Sequence, residues 1–410
     1  MSQKKLNELT YFPALLEKVL LQSNVVSLFS ILAMCNSPQE QGDIDAVDAV
    51  PAIEADVHPP SLISRPLHLA NNLQASSNSA DSAYEESLNE SQYSTSLASS
   101  VMNYKYENGR RYHSYREGSY PLPNDESEQE RLDLLHHIFK LMLDGELFRA
   151  PIPPDPHRVL DFGTGTGIWA MDFADQFPSA EVVGTDLSPI QPMWVQPNCR
   201  FYVDDVESEW VYRESEAFDF IHGRGMAGSI RDWPKLYEQI YKNLKPGGYL
   251  EMQEYETWVR SDDGTLENAK FIIEWQEKID EASKAFGKQM NVAGLQKGYI
   301  QDAGFENVTE DIYKVSLLIS DNPESLLTSN QLPQGPWPKD KKQKLIGRYQ
   351  IAQMLAAVEP FTLAVFTRSL GWSNQEAQAL MAGVRADFRN PKNHLYVIVR
   401  FIYGRKPLDE

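Results

Sequence analysis

The chain has 410 residues, 42% apolar and 11% aromatic, enough for a sizeable core and incompatible with a chain disordered throughout or a low-complexity fibre. Its 38 basic side chains face 58 acidic ones, a formal net charge of −20, so it lacks the Lys/Arg excess that binding to nucleic acid or anionic membranes demands. Two cysteines, Cys35 and Cys199, make neither a disulfide framework nor a cysteine-rich zinc module, and point to a reducing, cytoplasmic setting.

The apolar run Val25–Met34 follows Lys4 and Lys5 but is cut off from the amphipathic stretch before it by Gln22, Ser23 and Asn24. A spanning helix of about 20 residues is therefore not available, and the long lead-in argues against a secretory leader. Residues 35–100 hold thirteen serines and ten acids against the single strong base Arg65. With no periodic apolar face to offset ordering entropy, residues 1–100 read as a mostly disordered, acidic extension and 101–410 as the folded domain.

Asp125 with Glu128 predicts a capped helix through Leu132, Leu135, Ile138, Phe139 and Met142, ending at Gly145. From Pro151 short apolar runs alternate with helical patterns, the mark of a mostly parallel sheet. Strands are expected at Arg158–Phe162, Glu181–Leu187, Cys199–Asp205, Phe218–Gly223 and Tyr249–Tyr255. Helices are expected at Ile168–Gln176 and Asp232–Leu244, the second stopped by Lys245-Pro246-Gly247-Gly248. Phe271, Trp275, Ile279, Ala282 and Phe286 form one helical stripe. Ser373 with Glu376 opens a helix carrying Ala377, Leu380, Met381, Val384 and Phe388. Strands at Val308–Ile319 and His394–Tyr403 would close the sheet.

Between the first strand and its helix lies Asp161-x-Gly163-Thr164-Gly165-x-Gly167. Glycines there let the backbone turn sharply and approach a ligand. The dinucleotide fingerprint needs its third glycine at position 168, which is Ile168. With its acid two residues before the first glycine, the pattern resembles S-adenosylmethionine (SAM) binding more than pyrophosphate binding, and a ligand with a sulfonium and an amino group suits that acid. Asp186 ends the second strand, where a carboxylate can accept ribose hydroxyls, with Leu187 beside it. Asp204 and Asp205 end the third, where an acid can accept from the adenine amino group.

With these residues the sequence resembles the class I SAM-dependent methyltransferases, and more narrowly the fungal LaeA-like ones. The likeness runs from about Tyr104 onward, through Tyr106–Phe139, Val159–Asp175, Val182–Phe201, Phe218–Leu236 and Leu244–Glu254. It implies a Rossmann-like α/β fold: a seven-stranded, mostly parallel sheet with a reversed final hairpin, helices on both faces and a helical substrate lid. It places Asp161, Gly163, Gly165 and Gly167 on the methionine-side loop, Asp186 on the ribose and Asp205 on the adenine. It implies methylation of a small-molecule intermediate of fungal secondary metabolism, or, as the alternative, a nuclear regulator acting with velvet-type protein partners.

His222, just after the fourth strand, is the candidate general base; the competing reading makes it a shaper of the pocket. Arg224 is a candidate anion binder, or else an ion-pair partner of Asp219 or Glu254. No Asp/His/Glu cluster has metal-ligand spacing. The aromatic segment Tyr112–Tyr120 either folds over the cofactor or packs at the sheet edge. Lys339, Lys341, Lys342 and Lys344 read as a solvated helix start rather than a nuclear signal.

Overall fold

The computed structural model describes residues 104–313 and 331–408. The apolar run at Val25–Met34, the acidic extension and the end of the strand expected to reach Ile319 lie outside the described residues. A short hairpin, β1 (Lys105–Glu107) and β2 (Arg110–Tyr112), leads into α1 (Glu126–Met142). The Asp125 side chain accepts from Glu128 N and starts α1. Glu128 does not return the favour: its carboxylate grips Arg131 in two bonds of 2.9 and 2.6 Å, deep under the helix.

In β3 (Arg158–Phe162) the alternation of side chains sorts two cores. Leu160 and Phe162 join Leu236 and Ile240 of α3 (Trp233–Asn243) on one face. Val159 joins Trp169 and Phe173 of α2 (Ile168–Gln176) on the other. Helix α3 begins where Asp232 accepts from Lys235 N and Pro234 fills the first turn. Strands β4 (Glu181–Asp186), β5 (Cys199–Val203), β6 (Phe218–Arg224) and β7 (Leu244–Tyr255) pair in parallel around β3. Strands β4 and β5 stop one and two residues sooner than the sequence suggests, which leaves Leu187, Asp204 and Asp205 on the loops. Strand β7 starts five residues earlier than expected. The Lys245–Gly248 stretch does end α3, but it is absorbed into β7 where the register against Phe218 and Phe220 shifts, with Gly247 at φ 79°.

After α4 (Lys270–Phe286) and α5 (Gln296–Asp302) come β8 (Glu306–Tyr313), β9 (Gln331–Pro333), α6 (Lys341–Ala357), α7 (Asn374–Arg389) and β10 (Tyr396–Arg405). The sheet order is β5-β4-β3-β6-β7-β10-β8, with β10 antiparallel to both neighbours. This is the expected seven-stranded sheet with its reversed hairpin. The short β9, which sequence reading does not find, adds to it by pairing with Tyr396–Ile398.

Helices α1, α4, α6 and α7 pack together against Val399 and Phe401 of β10. The buried face of α4 is Ile272, Trp275, Ile279 and Ala282, one position off the expected stripe at its start. Phe271 is instead 46% exposed and lies over Gly383, where a Cβ would come within 2.4 Å of its ring. Helix α7 carries the Ser373–Glu376 capping box and buries the five expected residues. Lys341, Lys342 and Lys344 lie in the first turns of α6, capped by Asp340.

Candidate active site

The glycine loop crosses the C-terminal ends of β3 and β6, the place where open α/β sheets take ligands. Thr164 N donates to Thr185 O at 2.9 Å and pins the loop to β4. Gly163, Gly165 and Gly167 have φ of 63°, 59° and 80°. Their surroundings differ. A Cβ on Gly163 would meet Met226 Sδ at 2.3 Å, and one on Gly167 the Phe201 ring at 2.4 Å. On Gly165 the nearest atom is Leu132 Cδ1 at 3.5 Å, ordinary contact. Two glycines are thus demanded by packing, while Gly165 faces open space.

That space is a crevice formed by two cavities of about 660 and 840 Å³, which share Gly163, Gly165, Arg224 and Gly225. The larger includes Asp186, Leu187, Asp204 and Asp205; the smaller includes Asp161, Thr164 and His222. Tyr120 lines both. Its segment also reaches across the loops after β4 and β5: Asn124 Nδ2 donates to Ser188 Oγ at 3.1 Å, and Arg116 Nε lies 3.5 Å from Asp205 Oδ2.

Asp161 is almost wholly buried. Its Oδ2 accepts from Thr164 Oγ1 at 2.5 Å and its Oδ1 meets His222 Nδ1 at 2.7 Å. The pairing is a consequence of register, since Asp161, His222 and Glu251 stand opposite one another on β3, β6 and β7. The His222 ring stacks on Trp169, centroids 3.7 Å apart and planes 4° from parallel, and has no solvent exposure. Burial lowers its pKa, so the ring is neutral and donates from Nδ1. The row continues through Gln253, whose Nε2 donates to Glu251 Oε1 at 2.8 Å and to Leu147 O at 2.9 Å. Arg149 N and Ala150 N donate to Glu251 Oε2.

Asp186 accepts from Gly165 N and Ser188 N, each at 2.9 Å, so it shapes both the glycine loop and the turn after β4. Burial pushes its carboxyl up to about 6. Asp204 accepts from Asp205 N, and Asp205 from Glu207 N. Arg224 forms neither ion pair that the sequence allows. Asp219 holds Lys245, Glu254 accepts from Met226 N at 2.7 Å, and Arg224 Nη2 donates to His136 Nδ1 at 3.1 Å. Burial lowers His136 to about 4 and Arg224 to about 10. The guanidinium therefore lines the crevice with a neutral hydrogen-bond partner, while Asp161, Asp172 and Asp133 act on it through space.

Glu254 is fully buried, and burial raises its pKa to about 8. The folded state therefore keeps a proton that the unfolded chain loses above the ordinary value near 4.5, and stability falls as pH rises from about 4.5 to 8. Glu254→Gln should remove this component while retaining the acceptor for Met226 N. Thermal melts should show the variant above wild type at pH 9 and close to it at pH 5; parallel pH curves would refute the assignment.

Beyond Leu135, Tyr255 and Phe361, which it shares with the smaller cavity, lies a third cavity of about 540 Å³ under α4 and α6. Sequence reading missed it, along with the buried Glu128–Arg131 pair and Gln350 and Gln353 on its wall. The available signal was polar side chains at helical spacing on otherwise apolar faces. Among the described residues no group of three or more His, Cys, Asp or Glu is placed to hold a metal, and no helix is long and apolar enough to cross a membrane.

A methyltransferase-domain family model matches residues 134–310. Methyltransferase pytC of Aspergillus terreus is 43% identical over 316 residues, covering 76% of this chain and 91% of that protein. Secondary metabolism regulator LAE1 of Cochliobolus heterostrophus is 37% identical over 307 residues, 73% of this chain and 94% of its own. A solved structure of phosphoethanolamine N-methyltransferase 2 from Haemonchus contortus, with S-adenosyl-L-methionine, aligns at 17% identity and a TM-score of 0.35 over 68% of this chain and 52% of that one. Identity of this depth over about three quarters of the chain makes it a member of the SAM-dependent methyltransferases, in their fungal LaeA-like branch.

Proposed function

We propose that this methyltransferase acts on a small-molecule intermediate of fungal secondary metabolism, and that the crevice around the glycine loop is its SAM site. The supporting observation is the crevice's composition: open backbone at Gly165, a carboxylate at Asp186 and, at Arg224, a guanidinium whose hydrogen-bond partner is a neutral imidazole. These fit a ligand with a ribose at one end and a zwitterionic amino acid at the other. Asp161, Gly163, Thr164, Gly165 and Gly167 would flank the methionine part, with Arg224 on its carboxylate. Asp186 would take the ribose hydroxyls; Leu187, Asp204 and Asp205 would border the adenine. When bound, SAM supplies an electrophilic methyl on a sulfonium, so the protein's share is position and exclusion of water. His222 is wholly buried, with its Nδ1 committed to Asp161; we assign it to positioning Asp161 rather than to proton abstraction. Residues 101–410 would be the catalytic domain, in the cytoplasm, with 1–100 as an accessory extension.

Calorimetric titration tests the site. Asp186→Ala should weaken SAM by roughly 2–3 kcal/mol, on the order of 30- to 150-fold, and Asp186→Asn by less, because the amide keeps one acceptor. Ribose hydroxyls favour the ionised carboxyl. Wild-type affinity should therefore rise as pH climbs through about 6, and the Asn variant should lose that rise. Because Asp186 also holds Gly165 N and Ser188 N, melting must be measured on the same samples. Full affinity in the Ala variant, or a loss wholly explained by unfolding, would defeat the assignment.

The second reading, a nuclear regulator working with velvet-type partners, is favoured by the likeness to LAE1. Nuclear fractionation and a pull-down separate the two: enrichment in nuclei with a captured partner, undiminished in a variant that no longer binds SAM, would support the regulator.

A further inference from the structure

The cavity of about 540 Å³ beyond Tyr255 is built for a ligand that its own side chains do not supply. Its wall is largely apolar, from Val259, Trp275, Ile279, Met290, Met354 and Val397. Into this wall α6 sets two amides three residues apart, so both lie on the same helix face. Gln350 is 3% and Gln353 2% exposed, and neither Oε1 has a hydrogen-bond partner. Gln350 is anchored from its other end, Nε2 donating to Gln334 Oε1 at 3.3 Å. An amide oxygen buried without a donor has given up its water and gained nothing in return. Two such oxygens on residues that line one apolar cavity are a standing cost that a donor-bearing ligand would remove on binding.

The electrostatics narrow the ligand further. Among the described residues Glu256 is the one carboxylate on the wall, and Arg400 and Arg260 already hold it at 2.6 and 2.5 Å. Among the described residues no Lys, Arg or His lines the cavity. An anion would find no countercharge there, and neither would a cation. Trp275 offers a fixed ring, because its Nε1 donates to Thr362 Oγ1 at 2.7 Å, while the Met290 and Met354 thioethers adapt to a ring's outline.

Resting on the methyltransferase reading above, we infer that this cavity is the acceptor site, and that it takes a neutral, largely apolar ring compound whose hydroxyl or N–H groups donate to Gln350 and Gln353. Tyr255, on the boundary with the glycine-loop cavity, is where the acceptor would meet the methyl donor.

The test uses the full chain and three probes: S-adenosylhomocysteine, 1,3-dihydroxynaphthalene and 2-naphthoate. With the protein saturated with S-adenosylhomocysteine, calorimetry should show the diol binding about tenfold or more tighter than the carboxylate. Gln353→Leu should weaken the diol about threefold to tenfold, the loss of one hydrogen bond. Met354→Trp should fill the cavity and abolish diol binding, with S-adenosylhomocysteine affinity kept in both variants. Equal or tighter binding of 2-naphthoate to wild type would overturn the inference, whatever the variants do. So would an unchanged diol affinity in Met354→Trp. If S-adenosylhomocysteine binds wild type and the diol does not, the acceptor assignment alone fails. If S-adenosylhomocysteine itself does not bind, the cofactor reading fails and takes this inference with it.

Discussion

Gly165→Val should abolish SAM binding, by about a hundredfold or more, in a chain that still folds. The φ of 59° makes any L side chain there costly, by roughly 1–2 kcal/mol, which most domains survive. Beyond that strain, Leu132 at 3.5 Å is the only neighbour a Cβ would meet. The two methyls of valine would project into the crevice and take the room of the ligand. Gly167→Val should fail differently. Its Cβ would sit 2.4 Å from the Phe201 ring, and the start of α2 would have to move. Melting and calorimetry with S-adenosylhomocysteine on the pair distinguish the two roles. Near wild-type affinity in a folded Gly165→Val chain would move the cofactor away from this loop.

His222→Ala should be the most destabilising single change in the site. It removes the buried ring stacked on Trp169 and strips Asp161 Oδ1 of its donor. Losses of this kind amount to about 3–5 kcal/mol, a large share of the stability of an ordinary domain. The kinetic signature separates positioning from base catalysis. A positioning residue acts through Asp161, so the KM for SAM should rise and the pH–rate profile should keep its shape. A folded Ala variant with intact SAM affinity, a kcat about a thousandfold lower and a missing ionisation would restore His222 as the base.

What was legible in the sequence was local. The strand, glycine loop and helix around Gly165, the Asp125 and Ser373 caps, and the succession of strands along the chain follow from periodicity and turn chemistry, which act within a few residues. The row Asp161–His222–Glu251 was not legible, because it depends on how three strands slide against one another, and register is decided by long-range packing. His222 next to Gly223 reads as a strand-end base; only the register shows it behind Asp161. Helix α6 was legible only at its lysine-rich start, for a related reason. Its buried face includes Gly347, Gln350 and Gln353, so it lacks a clean apolar stripe. The residues that blur its pattern are the ones assigned above to the acceptor.

The placement of β10 carries a consequence for biosynthesis. Tyr396–Arg405 lies between β7 and β8, yet both of those strands leave the ribosome well before it. On the order of ten seconds of translation separate β8 from the strand it needs, at common elongation rates. For that interval β7 shows a bare edge rich in apolar residues, Leu250 and Met252 among them. Such an unpaired edge invites pairing with another chain until β10 arrives. Slower translation over residues 331–395 would lengthen the exposure and lower the yield of active enzyme without altering a single side chain.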